Sequence, residues 1–370
     1  MSEGLQRVSE TVRPARRITG VDAARGLALI GMFIAHVAPA VSEQPWQLLL
    51  AIADERPRLL FALTAGIGLG LLTGATRPVT EGRGILRRQI AIRALILIAL
   101  GVLIVATLKP LVFVILEEYG VAFLVLLPVL FIPGWAAVAL GAVLLAVAPA
   151  VAALASRDPA VIAASDGDAG IVVDWFITGA YPVIIWVPVM LIGLGLARLD
   201  VASPRVVARY GFAGIAAAAI CLPIVREMPA NQVLGAVPGA DWMIPVRASL
   251  MTIGNVGFCL GVVAIVVVLT SLAWPGLRRV ATAALSPITA MGAMPLTIYT
   301  GHLVIIAAAK RSENGTITDD SWPLTIGLII GSMLFAWLWQ RFIGRGPLEM
   351  LLRWASGRSR EPAIEPAGRD

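Results

Sequence analysis

The stretch Gly20-Val-Asp-Ala-Ala-Arg-Gly-Leu-Ala-Leu-Ile-Gly-Met-Phe-Ile-Ala-His36 decides how the rest of the chain is read. It is apolar enough to lie in a bilayer, yet it carries an acid, Asp22, a base, Arg25, and an imidazole, His36. At 100° per residue, Arg25 and His36 return to nearly the same face of a helix, about 16 Å apart along its axis, and Asp22 falls within about 40° of that stripe. Ionisable groups are costly inside a membrane and by default mark function. The stretch predicts a membrane helix with a polar seam.

Composition carries the same reading to the whole chain. Of 370 residues, 58% are hydrophobic and 14% charged, with a mean hydropathy of +0.87. Soluble domains hold about half apolar and about a quarter charged residues. Apolar runs recur from end to end, which predicts an all-α, polytopic helix bundle embedded in the lipid bilayer. Ten spans are expected: 26–41, 58–76, 94–108, 119–132, 136–154, 181–197, 210–225, 247–272, 288–309 and 322–341. The segment Lys109-Pro-Leu-Val-Phe-Val-Ile-Leu-Glu-Glu-Tyr119 either lengthens the third span or dips back into the membrane.

The net charge of +6 sits between spans, so it speaks for topology and not for a nucleic-acid partner. With the N-terminus in the cytoplasm, 21 basic residues fall inside and 8 outside. That split predicts an N-in, C-in topology, and the membrane expected is the plasma (inner) membrane. A membrane domain over 18–355 would be flanked by disordered cytoplasmic tails, 1–17 and 356–370. Ala38-Pro39-Ala40 has the outline of a signal-peptidase site, but cleavage there would reverse the charge bias. Cys221 and Cys259 lie in apolar runs without metal or redox spacing, and no metal site is expected.

Other motifs have a plain reading and a sharper one. Gly66, Gly70 and Gly74 fit small-xxx-small helix packing better than a dinucleotide loop. His36 and His302 are the only histidines, and both map to the outer half of the bilayer. Either alone is compatible with a packing hydrogen bond between helices, whereas two at one depth favour proton transfer. Glu117 and Glu118, beside Tyr119, are either a solvated pair or acceptor contacts. Tyr181 and Trp186 open a span with interfacial aromatics. Arg77, Arg83, Arg87, Arg88 and Arg93 either set topology or dock a polyanionic cofactor. Asn314-Gly-Thr316 is a glycosylation sequon with no meaning in a bacterial protein.

Arg25 and His36, with ten residues between them, resemble the signature of the acyltransferase-3 membrane proteins. The wider chain is similar to the heparan-α-glucosaminide N-acetyltransferase-like group of the same superfamily, in its bacterial form. The similarity lies in the 20–36 stretch, Leu60-Phe-Ala-Leu-Thr-Ala-Gly66, Glu118-Tyr-Gly-Val-Ala-Phe123 and Thr178-Gly-Ala-Tyr-Pro-Val-Ile-Ile-Trp186. It continues through Gly193-Leu-Gly-Leu-Ala-Arg-Leu-Asp200 and Gly292-Ala-Met-Pro-Leu-Thr-Ile-Tyr-Thr-Gly-His302. Gly346-Pro-Leu-Glu-Met-Leu-Leu-Arg353 matches a C-terminal signature of related bacterial multi-span proteins.

The resemblance implies transfer of an acyl group, first among them acetyl, from cytosolic acyl-CoA to a hydroxyl or amine of a glycan, glycolipid or small molecule outside. His36 and His302 would be catalytic with Asp22, while Arg25, Arg87, Arg88 and Arg93 would hold the acetyl-CoA. Glu117, Glu118, Tyr119, Tyr181, Trp186 and Tyr299 would meet the acceptor. One departure matters: lysosomal members carry asparagine where His36 stands and an essential histidine soon after it, and residues 37–57 contain none. Their sugar acceptor is therefore not carried over. A proton-coupled transporter or flippase is the rival reading, with the buried charges as its relay. Whether the chain forms a homodimer is left open.

Overall fold

A computed structural model describes residues 17–39, 52–229, 239–313 and 315–357. The tail residues 1–16 and 358–370, Ala40 of the signal-peptide outline and Asn314 of the sequon lie outside them. The described chain runs α1 (Thr19–Val37), α2 (Arg56–Leu72), α3 (Arg83–Leu108), α4 (Leu116–Leu126, continued by a 3-10 turn at Leu127–Val129) and α5 (Gly134–Ala155). Then come α6 (Pro159–Ser165), α7 (Gly170–Val173, continued by a π turn at Asp174–Thr178), α8 (Val183–Arg198), α9 (Pro204–Glu227) and α10 (Met243–Thr270). The last part holds α11 (Pro275–Ala284), α12 (Ser286–Ala293), α13 (Pro295–Ala308), a hairpin of β1 (Arg311–Glu313) and β2 (Thr316–Thr318), α14 (Trp322–Phe342) and α15 (Pro347–Ala355).

The protein is an all-α polytopic membrane protein. Each of the ten expected spans meets helix, but they differ in reach. Six described helices are long and apolar enough to cross a membrane, and two sharply bent pairs bring the number to as many as eight. At 17 residues α2 falls short of the roughly 20 that a full crossing takes, and α4 has only 11. Two boundaries move in an informative way. α1 starts at Thr19 and α3 at Arg83, so Asp22, Arg25, Arg87, Arg88 and Arg93 all stand on membrane helices and not in loops. α3 stops where Lys109 turns left-handed (φ 45°), and the segment after it bends back into α4.

Small residues set the helix spacing. A Cβ on Gly66 would lie 2.0 Å from the carbonyl oxygen of Met190, and one on Gly70 2.5 Å from Ala197 Cβ, so α2 and α8 touch closely in keeping with the small-xxx-small pattern. Gly74 does not share it, since it lies past the end of α2 in a turn with φ 112°. Arg198, 5% exposed, ties the end of that pair together. Its guanidinium donates to the carbonyls of Gly70, Thr73, Ala75 and Leu130 and to Thr73 Oγ1, at 2.6–3.3 Å. Gly70 is in the last turn of α2, and Thr73 and Ala75 follow directly after it, so Arg198 fastens the end of that helix and the turn beyond.

α12 and α13 form one broken span, bent by 90°. Met294 precedes Pro295 and is driven out of the helical region (φ −132°, ψ 55°). The freed N–H groups of Leu296 and Thr297 are met by Glu349 Oε1 of α15 at 2.7 and 3.1 Å, and Thr297 Oγ1 donates to Glu349 Oε2 at 2.5 Å. A remote carboxylate thus caps a helix that begins inside the bundle.

Candidate functional site

The far end of α1 meets the middle of α13, and this brings the two histidines together. His36 Nδ1 lies 3.2 Å from His302 Nε2, with the rings nearly parallel (13°). His302 is 1% exposed, whereas His36 is only partly covered. Phe33 and Tyr299 flank the His302 ring at centroid distances of 4.9 and 4.8 Å, and its Nδ1 bonds to the carbonyl oxygen of Tyr299, one helical turn back. Tyr299 is pinned in turn, its hydroxyl accepting from the N–H of Ile115 at 3.1 Å.

Ile115 leads into α4 and so to most of the expected acceptor contacts. Tyr119 packs edge-on to Trp186 (6.0 Å), and Trp186 packs against Tyr181 (5.9 Å). Three of the chain's four tyrosines therefore stand in this region. Glu117 Oε2 accepts from Trp175 Nε1 at 2.9 Å and serves to hold the α7 segment in place. Glu118 differs: its Oε2 is buried and has no partner among the described residues. Arg58 donates to Ala180 and Glu55 and lies over the Tyr181 ring at 5.4 Å.

Asp22 and Arg25 occupy the other end of the seam, as a salt bridge of 3.1 Å. Arg25 also donates to the carbonyls of Gly292 and Thr64, both at 3.1 Å, and so clamps α1 to α12 and α2. Arg93 contrasts with it. It lies along the buried stripe of α3 that includes Ile90, Ala94 and Leu97, near Tyr119, Glu349 and Arg25, yet its buried Nε has no hydrogen-bond partner among the described residues. Arg87 donates to the carbonyls of Leu127 and Pro128, and Arg88 is exposed.

The family described as heparan-alpha-glucosaminide N-acetyltransferase, catalytic, matches residues 17–225, more than half of the chain. The chain belongs to this family. It is accordingly a membrane acetyltransferase by kinship. The match takes in Asp22, Arg25, His36, Arg93, Glu118 and Trp186 and stops before Tyr299 and His302. No curated protein matches the chain.

In this acetyltransferase-family member, described residues outline several cavities. One of about 350 Å³ lies at the end carrying Arg17, Thr19, Thr76, Asp200 and Ser271. Another of about 250 Å³ lies among Glu55, Arg58, Ser156, Thr178, Trp186 and Thr252. A third, apolar and about 290 Å³, runs along Leu27, Ile30 and Ile34 with Arg56 at its rim. Neither histidine lines any of the three. Among the described residues no three His, Cys, Asp or Glu side chains gather as metal ligands do.

Three working residues escaped the reading of the sequence. Arg198 reads from the sequence as one of the inner-side charges and as part of the Gly193–Asp200 match, and its place at the end of an apolar run is the signal for its structural role. Glu349 lies in the Gly346–Arg353 signature, whose sequence gives no hint that its carboxylate caps α13. Asn255, which accepts from Arg56 Nε at 3.1 Å and donates to Glu55 at 3.2 Å, carries no local signal at all.

Proposed function

We propose that this protein transfers an acyl group, acetyl in the first place, from acyl-CoA to a hydroxyl or amine of a glycan, glycolipid or small-molecule acceptor. The observation that carries the proposal is the 3.2 Å contact between the only two histidines of an acetyltransferase-family chain. His36, the more accessible ring, accepts the acceptor's proton as that group attacks the thioester carbonyl. A base so placed contributes about 10²–10⁴-fold. The donor supplies an activated acyl group, and everything else falls to the protein.

Arg87, Arg88 and Arg93 suit the donor's phosphates. The unsatisfied Nε of Arg93 supports that role, while Arg25 and Asp22 set the helix that carries His36. The seam from Arg25 to His36 gives the pantetheine arm a path of about 16 Å. Glu118, Tyr119, Tyr181, Trp186 and Tyr299 line the acceptor side, with Glu117 holding that wall through Trp175. An N-in, C-in chain in the plasma membrane would set the arginines toward the cytoplasmic ends of their helices and the histidines toward the outside, as the positive-inside bias favours.

The broken α12–α13 span is the one feature that favours the rival, since transporters build sites from interrupted helices. The deciding experiment is thioester turnover. Purified protein with acetyl-CoA and longer acyl-CoAs should release CoA slowly, and His36→Ala should abolish the release. Neither binding nor release of CoA, with pH-driven substrate flux in vesicles, would establish the transporter instead.

A further inference from the structure

The hydrogen-bond chain through the histidine pair has only one consistent direction when both rings are neutral. His302 Nδ1 meets the carbonyl oxygen of Tyr299, and a carbonyl oxygen can only accept. His302 Nδ1 therefore carries the hydrogen. A neutral imidazole has a single N–H, so His302 Nε2 presents a lone pair. That lone pair faces His36 Nδ1 at 3.2 Å, and the contact is a hydrogen bond only if His36 Nδ1 brings the proton. By the same count, the lone pair of the second ring is on His36 Nε2. A backbone carbonyl thus sets the tautomer of a side chain two rings away.

We infer that His302 is a positioning residue which locks His36 in its Nδ1–H form, leaving His36 Nε2 as the basic atom. Both nitrogens of His302 are used, its ring is 1% exposed, and Phe33, Tyr299 and His36 surround it. It has no free nitrogen to take an acyl group or to donate to an oxyanion, so those two roles fall away. What it supplies is orientation and, when His36 Nε2 takes a proton, a neutral acceptor for the Nδ1–H of the resulting imidazolium. A carboxylate does this in the Ser-His-Asp triad. Here a second imidazole, one that brings no charge into the membrane, stands in its place. What the lone pair is for rests on the acyl-transfer reading; the tautomer itself does not.

Two histidines in 370 residues make the test direct, because ¹⁵N-histidine labelling yields only four ring nitrogens. In the purified protein at neutral pH both Nδ1 atoms should be protonated and both Nε2 atoms bare, with a through-bond coupling linking His36 Nδ1 to His302 Nε2. His302→Leu, with assignments from His36→Gln, should release His36 from the Nδ1–H form, whereas His302→Gln, which keeps an acceptor, should retain it. An Nε2–H on either ring, or an imidazolium on either, would overturn the inference whether or not the protein turns over acyl-CoA. If it does, His302→Leu should lower kcat by about 10–100-fold with KM for the donor unchanged. His302→Gln, which keeps an acceptor, should recover part of that loss. An acyl group trapped on His302 would also refute the assignment. Failure of CoA release with the tautomers as stated would count against the acyl-transfer reading alone.

Discussion

Arg25 and Gly292 are joined across 267 positions of the chain by a hydrogen bond of 3.1 Å, and the absence of a side chain at 292 is what lets them meet. A Cβ there would fall 1.8 Å from the carbonyl oxygen of Asp22 and 2.7 Å from Gly26 N. Both are backbone atoms of one helix and cannot swing aside.

Gly292→Ala should therefore push α12 off α1 and destabilise the protein by about 2–3 kcal/mol. Gly301→Ala is the matched control, since nothing lies within 4 Å of its Cβ position. It should be neutral or gain up to about 1 kcal/mol from helix propensity. Denaturant unfolding in one detergent compares the two, and equal stabilities would show that α1 and α12 are not packed as described.

Arg25 and Arg93 should part company on mutation. Arg25→Lys keeps the charge but cannot span Asp22, Thr64 and Gly292, so stability should fall by about 3 kcal/mol. Arg93→Gln breaks no hydrogen bond among the described residues, so it should unfold like the parent while KM for acyl-CoA rises about tenfold. The reverse pattern, with donor affinity lost at Arg25 and stability lost at Arg93, would exchange their roles.

Arg198→Ala should be among the most damaging single changes, although it lies at the opposite end of the bundle from the histidines. It removes five hydrogen bonds at once. The carbonyl oxygens of Gly70 and Thr73 keep the N–H groups of Ala75 and Val79, but the carbonyls of Ala75 and Leu130 lose their donor, and an unsatisfied group at that depth costs about 1–3 kcal/mol. Low yield of folded protein is expected, with normal CoA release per folded molecule. Normal yield with lost turnover would make Arg198 part of the site.

Asp319, in the loop before α14, gives a pH signature. Burial raises its pKa above the ordinary carboxylate value, and Asp320 adds to the rise while Lys310 and Arg311 oppose it. A folded pKa above the unfolded one means that the acid contributes stability at low pH and loses it as pH climbs through the folded value. Asp319→Asn should therefore stabilise the protein at pH 7, with the advantage shrinking as pH falls toward 4. A gain that does not vary with pH would assign the effect to packing.

The sequence announced the helices more clearly than their joints. Apolar runs and the sparse charges between them betray spans because the bilayer excludes anything else, and the depth of His36 and His302 follows from counting along two such runs. The 3.2 Å contact does not, since it depends on how far α13 tilts after the break at Met294. Arg25 looked like a donor contact because local periodicity shows which face a side chain takes, not which carbonyls wait there. The partners of Arg198 come from residues 68–128 positions distant, beyond any local pattern.

The cap on α13 also has a consequence in time. The N–H groups of Leu296 and Thr297 find their acceptor on Glu349, 52–53 residues later in the chain. While the chain is being made, that half-helix can enter the membrane only with its first turn unsatisfied or held by water. Biogenesis of the histidine pair therefore waits on α15, the last of the described helices to leave the ribosome. A chain truncated before Pro347 would insert nearly all its spans and still lack a settled place for His302.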